Sequence, residues 1–145
     1  MTTTTPSRST GIGRVLIAVY ALLALAATGR SVFQILDDFA EAPVAYALSA
    51  LAAVVYIVAT VALVTPGAAW YRVAWITISF ELAGVLVVGL LSIVDPVLFP
   101  AKTVWSFYGM GYAFVPLVLP VLGLLWLRRT RVPVLDRSEL PDAAV

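Results

Sequence analysis

The run from Trp75 to Asp95 constrains this chain more than any other stretch. It is apolar apart from one carboxylate, Glu81, and is bounded by Arg72 on one side and Asp95-Pro96 on the other. An interval of about 22 residues, rising 1.5 Å per residue, crosses a ~30 Å hydrocarbon layer as an α-helix. Lipid offers the backbone no hydrogen-bond partners, so a single spanning segment satisfies its own N–H and C=O groups by becoming helical. Glu81 lies nine positions past Arg72, roughly 13 Å along the helix axis and close to the bilayer midplane. A charge at that depth costs at least about 2.5 to 3.5 kcal/mol, so such residues pair, face an interior, or serve a function.

The rest of the chain has the same character. Of its 145 residues 62% are hydrophobic and 12% charged, a balance that suits an integral membrane protein and not an ordinary soluble domain. Cysteine and histidine are both absent. That excludes a disulfide framework, a thiol redox pair, the usual haem ligand, a His-based zinc site and any Ser-His or Cys-His nucleophile. No cofactor is expected. The basic residues are Arg except for Lys102, and Ala, Val and Leu dominate, the usage of a GC-rich bacterial genome.

Four spans are expected, at about 15–36, 44–64, 73–94 and 104–127, within a membrane domain covering 14–128. Residues 1–13 and 129–145 read as tails, rich in Thr, Ser and Pro at the start and in mixed charge and Pro at the end. The first span carries Arg30 inside it. A secretory signal is the alternative reading of that segment, with Ala24-Leu25-Ala26 as a cleavage-like triplet. Against it, the apolar pattern resumes at Val32, Phe33, Ile35 and Leu36. Pro43 suits the first turn of the second helix, where its missing N–H would be unpaired anyway, and Thr65-Pro66-Gly67 ends that helix. Trp70, Tyr71 and Trp75 around Arg72 form an interfacial aromatic anchor. Pro116 and Pro120 predict a kink in the fourth span.

Arg8, Arg14, Arg72, Arg128, Arg129, Arg131 and Arg137 fall on one side of these spans, and only Lys102 falls outside them on the other. The positive-inside rule then places both termini in the cytoplasm of a bacterial plasma membrane, with Asp37, Asp38, Glu41 and Asp95 as an acidic outer rim. The links are short enough to require antiparallel neighbours. The expected fold is all-α, a four-helix transmembrane bundle running up-down-up-down.

Thr77, Glu81, Gly84, Val88, Ser92 and Asp95 recur at spacings of three and four, giving the third helix one weakly polar stripe that should face the interior. Counting along the helices puts Tyr56 near the depth of Glu81 and makes it the expected hydrogen-bond partner. Arg30 lies higher, about 11 Å from Glu81 in backbone height, with Tyr108 and Tyr112 between them. The candidate intramembrane polar site is therefore Glu81, Arg30, Tyr56, Tyr112 and Asp95. Each member also has a plainer reading. Glu81 can be a protonated, hydrogen-bonded core residue, Arg30 can snorkel or pair with Asp37 or Asp38, and buried tyrosines most often pack. Ala45, Ser49 and Ala53 form a small-residue packing face. The cluster at Arg128 to Arg131 reads as a topology and anionic-lipid anchor, and no nucleic-acid partner is expected.

Ala27-Thr28-Gly29-Arg30-Ser31, Glu81-Leu82 with Gly84 to Gly89, Asp95-Pro96 with Leu98-Phe99-Pro100, Val104-Trp105-Ser106 and the Gly109 to Pro120 stretch resemble a group of uncharacterised small four-span integral membrane proteins of actinobacteria. The resemblance covers about residues 14–129. It implies a location and a fold and carries over no activity or functional residue. The expected function is that of a non-enzymatic membrane protein acting through helix contacts with the bilayer, with copies of itself or with a partner membrane protein. The alternative is a proton-coupled transporter or channel subunit that uses Glu81. A membrane enzyme would need an acid–base pair, and Glu81, Arg30 and Asp95 are the only groups on offer.

Overall fold

The computed structural model describes residues 11–130; the two expected tails lie outside the described residues except for their innermost positions. The described chain is a helical bundle, built of α1 (Ile12–Asp38), α2 (Pro43–Val64), α3 (Ala68–Val94), a short 3-10 segment (Ser106–Tyr112) and α4 (Val115–Arg129). α1, α2 and α3 are each long and apolar enough to cross a membrane. The protein is membrane-embedded.

α1 runs unbroken through Arg30 for 27 residues, about 40 Å of rise and more than a hydrocarbon core requires. Pro43 occupies the first turn of α2, as its chemistry predicts. On α2, Ala45, Ser49, Ala52, Ala53, Ala59 and Ala62 are all buried. Small side chains on one face let backbones approach closely, which is how membrane helices gain dispersion contacts without a hydrophobic driving force. Gly67, at φ 120°, turns the chain into α3. That helix begins at Ala68, a turn earlier than expected, so Trp70, Tyr71 and Arg72 lie on it. The Tyr71 hydroxyl donates to the Leu127 carbonyl at 2.8 Å, fastening the first turn of α3 to the last turn of α4 at the arginine-rich end.

The fourth apolar run departs from expectation. It is not one helix over 104–127. α-Helix begins only at Val115, and the 3-10 segment before it meets α4 at a bend of 98°. Phe107, Tyr108, Ala113 and Phe114 all have positive φ, as does Gly109, a conformation costing L-residues roughly 1–2 kcal/mol each. Pro116 therefore sits at the start of a helix, where its missing N–H costs little. Pro120 alone interrupts the ladder, freeing the Pro116 carbonyl.

Irregular backbone at membrane depth survives only where protein supplies its partners, and here serine and threonine supply them. Ser92 on α3 accepts the Phe107 N–H at 2.8 Å and donates to the Gly89 carbonyl. The Ser106 hydroxyl accepts the Thr103 N–H, and Thr103 Oγ1 accepts the Trp105 N–H. Two glycines on α3 make room for the segment. A Cβ on Gly84 would lie 2.7 Å from the Trp105 ring, and one on Gly89 2.5 Å from the Tyr108 ring. Val104 and Trp105 are each only 1% exposed, so the connection after α3 folds inward and fills the bundle.

Candidate functional site

Glu81 faces the interior from the middle of α3 and is fully buried. Its Oε2 accepts a hydrogen bond from the Tyr20 hydroxyl at 2.8 Å. Its Oε1 is buried with no hydrogen-bond partner. Tyr20 comes from α1 and is itself fully buried. Gly123 of α4 closes the third side, since a Cβ there would lie 3.4 Å from the Tyr20 hydroxyl and from Ile78. The carboxyl is thus enclosed by α1, α3 and α4.

Tyr56, the expected partner, is nearby but bonds elsewhere. Its ring centroid is 6.3 Å from that of Tyr20, and its hydroxyl accepts the Trp105 indole N–H at 3.0 Å. The cause is the direction in which helical side chains lean. Cα–Cβ bonds tilt toward the helix N-terminus. α1 and α3 start at the arginine-rich end, so Tyr20 and Glu81 lean that way together. α2 runs oppositely, and Tyr56 leans toward the acidic end, where Trp105 descends to meet it. Equal backbone height placed Tyr56 beside Glu81; side-chain tilt separates them.

The other sequence candidates disperse. The Arg30 guanidinium donates to the Lys102 carbonyl, holding the connection between α3 and α4 against α1, while its Nε is buried without a partner. Tyr112 ends the 3-10 segment and packs against the hydrophobic core. Asp95 caps the end of α3, where its Oδ1 accepts the Leu98 N–H at 3.2 Å; it is exposed and apart from Glu81. The interior stripe of α3 is otherwise as expected, with Glu81, Val88 and Ser92 buried. Sequence reasoning missed Tyr20, whose signal was its place six positions past Arg14, and Trp105, which lies near one end of the expected fourth span.

The arrangement offers a carboxyl, two phenols and an indole N–H, all buried. It can hold a proton at Glu81 and stabilise it with a phenolic partner. Among the described residues no group of three or more His, Cys, Asp or Glu side chains comes together to hold a metal ion. No family model matches the chain, and no curated protein or solved structure matches it at a significant level.

Proposed function

We propose that this protein is a small, non-enzymatic bundle of a bacterial plasma membrane, with both termini cytoplasmic, in which Glu81 is the proton-binding site of a proton-coupled transporter or channel subunit. The observation that carries the reading is the unpaired Glu81 Oε1 at mid-height inside the bundle. A buried polar atom without a partner costs about 1–3 kcal/mol, so a purely structural position would be served as well by an apolar residue. A carboxyl that takes up and releases a proton keeps one oxygen available. The test is pH-gradient-driven proton flux in liposomes, wild type beside Glu81→Gln. Flux that disappears in a folded Gln variant supports the proposal; equal flux in both removes Glu81 from the pathway.

The other reading is a structural subunit that packs against copies of itself or a partner membrane protein. What favours it is the closure above Glu81, where Trp105 is 1% exposed, with its ring on Gly84 and its indole on Tyr56. A bundle that never opens there has a core and no pathway. Co-purification of a fixed partner with no flux from either protein form would favour that reading.

A further inference from the structure

The unpaired Glu81 oxygen belongs to a set. Four more buried polar atoms have no partner in the bundle: Arg30 Nε, Ser31 Oγ, Gln34 Oε1 and Ser49 Oγ. All four lie toward the acidic end. Ser31 stands seven positions before the end of α1 and Ser49 six after the start of α2, so both sit roughly 10 Å in from that end. Glu81, thirteen positions before Val94, sits roughly 20 Å in. Between the two levels lies the Trp105–Tyr56 hydrogen bond. The arginine-rich half of the bundle contributes none of the five. Buried polar atoms are rarely left unpaired in folded proteins, and five of them arranged from one end to the middle require a common cause.

We propose that Arg30, Ser31, Gln34 and Ser49 line an outward-facing polar half-path to Glu81, that the Trp105–Tyr56 pair is its gate, and that its cargo is the proton and not a metal cation. The proposal rests on the proton-site reading of Glu81. The choice of cargo follows from the end of the path. A proton needs one carboxyl oxygen and moves along hydroxyls and water. A single carboxyl at the bottom does not supply the six or so oxygens that a hard cation requires. At the mouth, Asp37, Asp38, Glu41 and Asp95, all exposed, raise the local proton concentration, and among the described residues Lys102 is the only cation at that end besides Arg30. Closure is local. Loss of the Tyr56 hydroxyl leaves the indole N–H unpaired and the ring held by packing alone.

The test is thiol accessibility, which reads the path independently of flux. The chain contains no cysteine, so Ser49→Cys, Glu81→Cys and Val97→Cys each introduce a single thiol; Val97 is 87% exposed at the rim and serves as the control. A membrane-impermeant anionic methanethiosulfonate is added outside right-side-out vesicles. Val97→Cys should react fastest, Ser49→Cys, 0% exposed in the closed bundle, more slowly as the outer half opens, and Glu81→Cys slowest; adding Tyr56→Phe should speed the Glu81→Cys reaction about tenfold, the factor expected for one buried hydrogen bond. Ser31→Cys repeats the upper position should Ser49→Cys fail to accumulate. Reaction of Ser49→Cys and Ser31→Cys only with reagent inside the vesicle, or with neither, or a Glu81→Cys rate indifferent to Tyr56→Phe, overturns the half-path. If thiol accessibility follows the prediction while wild-type flux is absent, the path stands and the transport reading falls.

Discussion

The Tyr20 hydroxyl and the Glu81 carboxyl, 61 positions apart in sequence, meet at 2.8 Å in the centre of the bundle. That bond joins α1 to α3, two helices whose backbones do not otherwise come into close contact, and makes an otherwise expensive carboxyl tolerable. Tyr20→Phe removes the donor and leaves both carboxyl oxygens unpaired, at a cost of about 1–3 kcal/mol. A double-mutant cycle of Tyr20→Phe with Glu81→Leu, read by unfolding in detergent, should give a coupling of about 0.5–3 kcal/mol, and the same cycle with Tyr56→Phe a smaller one. A larger coupling to Tyr56 would contradict the geometry.

Trp105 is the largest of the fully buried side chains. Trp105→Ala should cost about 3–5 kcal/mol through the cavity left behind. Trp105→Phe should cost less, because it keeps most of the volume and loses the indole bond to Tyr56. Thermal melts in matched lipid nanodiscs would separate the two, and equal melting temperatures for the two variants would remove the packing of the ring from the account.

Glycines on α3 provide a graded test of close packing. Gly84→Ala and Gly89→Ala drive a methyl group into the Trp105 and Tyr108 rings and should destabilise by about 1–3 kcal/mol. Gly29→Ala, inside α1 with nothing within 4 Å, should be neutral or stabilise by up to about 1 kcal/mol, since glycine is the poorer helix former. The reverse order would mean that the bent segment does not lie against α3.

Ser92 holds the Phe107 N–H in a stretch of left-handed backbone. Ser92→Ala should speed amide exchange at Phe107 and its neighbours while leaving the centre of α2 protected, because local opening follows the loss of the local partner. Exchange that rises equally in α2 would indicate global destabilisation instead.

The first three helices were legible in the sequence because hydropathy and the Pro43 and Thr65-Pro66-Gly67 breaks specify apolar helices and their ends without reference to tertiary contacts. The fourth was not. An apolar run over 104–127 has the same hydropathy whether straight or broken, and the break depends on Ser92 and two glycines of another helix. Its local signals were Thr103, Ser106, Gly109 and Pro116. Glu81 was legible as an isolated intramembrane charge. Its partner was not, because depth counting follows Cα positions, whereas the hydrogen bond depends on which way each side chain leans from its helix. Arg30 was expected to snorkel or to pair with Asp37 or Asp38, and its partner is a carbonyl on the connection before the bend, which no helical spacing encodes.

The central claim is that Glu81 carries a proton through the bundle. Its most direct test is pH-gradient-driven acidification of liposomes containing the purified protein, with wild type compared with Glu81→Gln and the folding of both verified by thermal melt. The account predicts flux through the wild type and none through a folded Gln variant. Flux that survives Glu81→Gln, or its absence from a folded wild type, would contradict it.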